Sequence, residues 1–162
     1  MTEKDALYYT NRGIEKTNQG DFRGAVGDFD KSLELRPDWA LTYFSKAIAF
    51  HNLMRLEDAY ENYTKAIECD NKMTDAYYNR AHVMLLDKKA GEDVLKNALA
   101  DLEKACELDN KFIDAMYYAA VVKMKLKNYE GAVETLDKIL ETEPEAINSR
   151  ALKKLILQKY LK

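Results

Sequence analysis

The sequence predicts an all-α chain built from a repeated two-helix unit, and three observations carry that prediction. Of 162 residues only 6 are Gly and 2 are Pro, whereas the two together make up roughly 12% of a globular chain; a loop-rich or all-β fold needs more. Tyr9, Tyr43 and Tyr77 are spaced by 34 residues, and Gly13, Ala47 and Ala81 repeat that interval four residues later. Each interval contains two stretches with apolar residues at helical spacing, separated by a short turn. Hydrophobic residues at 47% and charged residues at 33% supply both a core and a solvated surface.

The first unit shows the pattern: ALYYTNRGIEKTNQ reads as one helix, GDF as the turn and RGAVGDFDKSLEL as the second helix. Small residues at Gly13, Ala25 and Ser32 let the pair approach closely, while Tyr9, Phe22 and Phe29 fill the wider gaps. The second unit repeats this with Ala47, Ala59 and Ala66. Pro37 and Pro144 stop the second helices of the first and last units. The steps from Ala59 to Ala98 and from Ala81 to Ala120 grow to 39, and the step returns to 34 between Ala98 and Ala132, so five residues are inserted between Ala81 and Ala98. In LLDKKAGEDVLKNALADL this insertion is expected to lengthen the turn of the third unit. Gly91 ends one segment, Glu92 and Asp93 suit the start of the next helix, and Val94 and Leu95 either pack on the next unit or form a partner-contacting elbow.

Residues 147–162 read as a further helix. Ala146, Ile147, Ala151 and Leu155 are expected to cover the edge of the last unit, with Lys153, Lys154 and Lys159 facing water. Leu152, Ile156, Leu157, Tyr160 and Leu161 widen the apolar arc beyond what a cap needs, which suggests a self-association surface or a cut through a longer array.

The net charge of −3 gives no electrostatic basis for nucleic-acid binding. It is unevenly spread: Arg150, Lys153, Lys154, Lys159 and Lys162 stand against Glu145 alone in residues 145–162. That basic stretch is either a solvated helix face or a surface for an acidic partner or an anionic membrane. Cys69 and Cys106 have no CxxC or Cys/His spacing and read as buried thiols of a reducing compartment. MTEKDALYYT lacks the apolar core of a signal peptide, and no run approaches 18 apolar residues. Membrane insertion is therefore not expected, and the cytoplasm is the expected location. With no HExxH, Gly-rich phosphate loop or GxSxG, neither a catalytic residue nor a cofactor is expected.

The segments YYTNRG, YFSKAI, YYNRAH and MYYAAV hold aromatic and small residues in one phase. On these, with Pro37 and Pro144, the chain resembles tetratricopeptide repeat proteins. The resemblance covers units 6–39, 40–73, 74–112 and 113–146 and the helix at 147–162, read together as a single domain over 1–162. Asn71 and Asn110 stand where the family often has Pro, and Met116 replaces the first aromatic. The resemblance implies a right-handed superhelical solenoid in which the first helix of each unit lines a concave groove and the second faces outward, each repeat resting on its neighbours. It also implies a non-catalytic interaction scaffold that binds an apolar helical or extended segment of another protein in that groove. The alternative is a structural module that self-assembles through its repeat ends and the 147–162 helix.

In the phase implied to face inward lie Leu7, Thr10, Ile14 and Thr17, then Leu41, Phe44, Ile48 and His51, then Asp75, Tyr78, His82 and Leu85, then Asp114, Tyr117, Val121 and Met124. The candidate peptide-binding residues are Asn11, Phe44, Ile48, Tyr78, Asn79, His82, Tyr117 and Val121. The aromatic and aliphatic members supply contact area, and Asn11, Asn79 and His82 set register through hydrogen bonds. Alternatively, neighbouring helices bury Phe44, Ile48, Tyr78 and Val121. The family's carboxylate clamp for chaperone tails resembles Lys and Asn on the first helix, Asn on the third, and Lys and Arg on the fifth. Those places hold Thr10 and Ile14, then Ser45, then Asp75 and Asn79, so the cations are missing and an acidic tail is not the expected ligand. An asparagine ladder is partial, since Ser45 and Tyr118 interrupt Asn11 and Asn79. Arg12, Lys46 and Arg80 stand beside it, and Asp28, Asn62, Asp101 and Thr135 share one phase on the second helices. Arg12 with Asp28 and Arg80 with Asp101 are accordingly expected as braces between helices rather than ligand contacts. His51 and His82 could meet as a pair; two imidazoles without a third ligand make a poor metal site, so no metal is expected.

Overall fold

In the computed structural model, which describes residues 3–86 and 90–161, the apolar periodicity resolves into helices alone. Among these residues they are α1 (Glu3–Asn18), α2 (Phe22–Leu35), α3 (Ala40–Asn52), α4 (Leu56–Cys69), α5 (Thr74–Leu86), α6 (Glu92–Leu108), α7 (Ile113–Lys125), α8 (Tyr129–Thr142) and α9 (Ile147–Lys159). They fall into two compact units: Met1–Val83, with α1 to α4 and most of α5, and Met84–Lys162, with the rest of α5 and α6 to α9.

In the first unit α1 packs on α2, α2 on α3 and α3 on α4. One core cluster joins Ala25, Phe29 and Ala49; another joins Ala47, Phe50, Ala59, Tyr63 and Val83. Helix α3 therefore turns Ala49 toward α2 and, from its other side, Ala47 and Phe50 toward α4. Helices α1 and α2 approach closely at Gly13, where a Cβ would come within 2.6 Å of the Phe29 ring. In the second unit α7 lies between α6 and α8, and α9 packs on α8, around Ala120, Ala132, Leu136, Ile139 and Ile156.

The helix ends follow local chemistry. Asp21 and Asn128 cap α2 and α8 by accepting hydrogen bonds from the backbone N–H groups of Gly24 (2.9 Å) and Gly131 (3.0 Å). Pro37 and Pro144 stand just beyond α2 and α8, where a following proline disfavours helical backbone. Where Asn71 and Asn110 replace proline, Asp70 and Asp109 accept from the N–H groups of Lys72 (3.0 Å) and Lys111 (2.9 Å), closing side-chain turns that reverse the chain instead. Cys69, expected inside, is exposed at the end of α4, and Cys106 is half-buried.

Two expectations need correction. The insertion does not go wholly into a turn: α6 has 17 residues against 14 in α2, α4 and α8, so much of it extends the helix. Helix α6 begins at Glu92 as its acids predict; Asp87, Lys88 and Lys89 lie outside the described residues. The terminal helix is also turned differently. Ile147 and Leu155, expected to cover the last unit, are 75% and 48% exposed, and Ala151 is exposed as well. Ser149 and Ile156 are buried instead, with Leu152 packed beside them. The reason is repeat register. Thr42, Ala76, Ala115 and Ser149 share one repeat position, Ala49, Val83, Val122 and Ile156 another, and all eight are buried. Helix α9 thus docks on α8 as another first helix. On α1, where no earlier helix packs among the described residues, the matching Tyr8 is 57% exposed and Glu15 is exposed.

Gly13→Ala should lower unfolding free energy by about 1 to 3 kcal/mol, because overpacking against the Phe29 ring outweighs the gain in helix propensity. Gly27→Ala on α2, where the added Cβ meets nothing within 4 Å, should raise it by about 0.5 to 1 kcal/mol. Urea denaturation of both variants checks the pair.

Candidate functional site

The candidate site is built on first helices whose polar neighbours are already engaged. On α1, Arg12 Nε donates to Asp28 Oδ2 at 2.8 Å, its Nη2 donates to Oδ1, and Lys16 Nζ lies 2.8 Å from Oδ2. The guanidinium also lies 5.4 and 5.3 Å from the ring centres of Tyr8 and Tyr9. These donors, Arg12 above all, hold the Asp28 carboxyl at about 2 although burial opposes its charge. The expected Arg12 brace is present.

A second kind of brace crosses from one repeat to the next. Lys46 of α3 reaches back to Asp30 of α2 at 2.7 Å, Arg80 of α5 donates to Thr64 Oγ1 of α4 at 3.1 Å, and Lys153 of α9 pairs with Asp137 of α8. In each the partners are 16 residues apart and join the first helix of one repeat to the second helix of the repeat before. Lys123 of α7 makes the same connection to Glu103 of α6 at 3.2 Å. Arg80 also lies 5.7 and 5.9 Å from the ring centres of Tyr60 and Tyr77. The recurring 16-residue spacing was the available sequence signal. Its cost appears at Asn62, in the place of Asp28. With Lys46 drawn to Asp30, Asn62 Oδ1 is buried with no hydrogen-bond partner among the described residues, as is the hydroxyl of Tyr63.

Thr10, placed by sequence in the inward phase, is buried. Its hydroxyl bonds those of Ser32 and Thr42, each at 2.7 Å, and Ser32 Oγ donates to the Ala6 carbonyl at 3.0 Å. Helix α3 lies over it, so the hydroxyls satisfy one another away from water.

Of the candidate residues in the first unit, Asn11 is exposed on α1. Phe44 and Ile48 are half-buried on α3 and pack on the core, Phe44 with its ring 5.7 Å from that of Tyr63. On α5, Tyr78 stacks on His82 at 6.4 Å, and His82 lies 5.5 Å from His51 of α3, so the two histidines do meet. Burial first, and the charge of His82 second, push the His51 pKa down. Asn79 Nδ2 donates to the Asp75 carbonyl at 2.8 Å, which commits part of its amide to its own helix. In the second unit Tyr117 and Val121 are half-buried on α7, and Tyr117 packs against the core and edge-on to Tyr118 at 5.9 Å. Sequence reasoning passed over Trp39, which with Lys4, Leu7 and Arg36 lines a cavity of about 240 Å³; Arg36 lies 4.6 Å from its ring centre. The lone Trp of the chain directly after Pro37–Asp38 was the signal. Among the described residues no three His, Cys, Asp or Glu side chains could hold a metal ion, and no helix is long and apolar enough to cross a membrane.

Residues 113–162 match the family model of the Fis1 C-terminal tetratricopeptide repeat. An uncharacterized protein of Methanocaldococcus jannaschii is 36% identical over 76 residues, covering 47% of this chain and 88% of that protein. The chain belongs to the tetratricopeptide repeat family. Among solved tetratricopeptide-type folds, MamA superposes with a TM-score of 0.86 at 22% identity, over 97% of this chain and 83% of that one. The first tetratricopeptide repeat domain of Spaghetti (RPAP3), bound to the HSP90 peptide SRMEEVD, gives 0.71 at 20% identity over 78% and 97%. These likenesses show the fold.

Two predictions follow the polar geometry. Asp28 is held at about 2 when folded and titrates near 3.8 when free. Its pairing therefore stabilises fully above about pH 4 and is lost as pH falls through about 2. Urea midpoints across that range should show the loss, and Asp28→Asn, less stable at neutral pH, should lack that step. Tyr63→Phe should raise unfolding free energy by about 1 kcal/mol, because it removes a buried hydroxyl with no partner and keeps the ring.

Proposed function

We propose that this tetratricopeptide repeat protein is a non-catalytic interaction module that receives an apolar helical or extended segment of another protein along the inward strip of its first helices. The observation that carries the reading is the half-buried aromatic strip of the first unit. Phe44 and Ile48 on α3, and Tyr78 stacked on His82 of α5, keep part of their surface in water while the rest is fixed by packing. Aromatic groups held this way present contact area at little further entropic cost. Asn11, Asn79 and His82 would set the register of the bound backbone. In the second unit Tyr117 and Val121 offer the same chemistry on α7.

The RPAP3 repeat holds an HSP90 peptide, which supports a peptide-receiving role for the fold. The ligand class here is different. Thr10 and Ser45 are buried and Asp75 is acidic, so the clamp places offer no cation to an acidic tail. The bound segment is apolar, and its binding should be only weakly salt-sensitive.

A partner identified by pull-down should bind with micromolar affinity, on the order of −8 kcal/mol. Tyr78→Ala should weaken it by about tenfold, and Phe44→Ala by at least as much after a thermal melt shows that variant folded. Tyr60→Ala, on the exposed side of α4, should leave it unchanged. Titration calorimetry checks all three; unaltered affinity in both strip variants would remove the reading.

A further inference from the structure

In the second unit the face of α7 that carries Met116, Ala119, Ala120 and Lys123 points toward α8. Ala120 lies in the core with Ala132 and Leu136, and Lys123 donates to Thr135 Oγ1 at 3.2 Å. One repeat later, 34 residues on, the matching positions of α9 are Arg150, Lys153, Lys154 and Leu157. On α9 no second helix covers this face among the described residues. Arg150, Lys153, Lys154, Leu157 and Gln158, with Leu140 of α8, line a cavity of about 420 Å³. Its lining joins two leucines to three basic side chains.

The chain itself shows what a second helix brings to such a face. On α1 the matching positions hold Arg12 and Lys16, and α2 meets them with the carboxylate of Asp28. On α9, Lys153 already faces Asp137 and Arg150 faces Glu145. Lys154, exposed, has no acidic partner among the described residues. Lys154 also stands where Gly13, Ala47, Ala81 and Ala120 stand in the other repeats. A side chain of that length keeps out a helix packed as closely as α8 is on α7, and favours one that stands further off and reaches it with a carboxylate. We propose that this face of α9 is a docking site for an acidic amphipathic helix of a partner protein, its apolar seam on Leu140 and Leu157 and a carboxylate on Lys154. A concave place walled by α8 fits a helix better than the flat surface of an anionic bilayer. The site is separate from the aromatic strip of the proposed function.

The test uses the whole chain and a labelled synthetic helix of roughly four turns with a leucine seam flanked by glutamates. Its counterpart has lysines for the glutamates, and vesicles of phosphatidylserine and phosphatidylcholine form a third arm. By fluorescence anisotropy the glutamate helix should bind saturably, and more weakly as salt rises. Lys154→Glu should weaken it by about tenfold or more, Leu157→Ala should also weaken it, and Tyr78→Ala should not. Lys154 is exposed, so that variant should keep the parent's thermal melt. The proposal fails if the lysine helix binds as well as the glutamate helix, if Lys154→Glu binds like the parent, or if Tyr78→Ala abolishes the signal. It fails equally if the chain binds the vesicles and not the helix, or if the label reports only association between copies of the chain in sedimentation.

Discussion

Helices α3 and α7 each have a second helix on two of their sides, and only small side chains at fixed places permit it. Helix α3 meets α2 through Ala49 and α4 through Ala47, both fully buried. Once those two faces are used, a narrow strip is left, and Phe44 and Ile48 lie on it. They are half-buried because the strip borders the core on both sides. The place that the proposed function gives to a ligand is thus what close helix packing leaves over, and its width follows from the size of the residues at Ala47 and Ala49.

Charge takes second place and works locally. The pairs from Lys46 to Asp30 and from Lys153 to Asp137 join neighbouring helices at the rim, where at least one partner keeps substantial contact with water. Pairs of this exposure contribute little stability each, but they oppose sliding of one helix along the next. Asn62 shows how such a pair redirects its surroundings. The cation that could have met an acid in its place is engaged with Asp30, and an amide that donates to the Asp58 carbonyl at 2.8 Å stands there instead.

The repeat interval made the helices, their pairing and the Arg12 brace legible from sequence, because spacing of small and aromatic residues constrains packing directly. The orientation of α9 was not legible from its own pattern. With Ile147, Ala151, Leu152, Leu155, Ile156 and Leu157 all apolar, nearly every face of that helix could be the buried one. Extending the 34-residue interval from Ala115 and Val122 would have found Ser149 and Ile156. Thr10 failed for a related reason: its periodic phase matched Phe44 and Tyr78, but a threonine is short enough for α3 to close over it. The candidate strip was legible as a set of positions. The committed amide of Asn79 and the neighbours of Phe44 depend on tertiary contacts that no spacing within one helix encodes.

Because the strip borders the core, its residues do not all have the same freedom. Phe44 rests on Tyr63, and Ile48 and Tyr117 rest on core clusters, so changing them to suit another ligand also changes the packing beneath. Asn11 is exposed, and Tyr78 and His82 meet each other through their rings. The exposed Asn11 can vary at smaller cost to the fold. On the proposed reading, Phe44, Ile48 and Tyr117 would supply a generic apolar bed, and discrimination between partners would fall to Asn11, Tyr78 and His82. A hydrogen-bonding group that must be satisfied rejects a mismatched ligand more strongly than an aliphatic surface does.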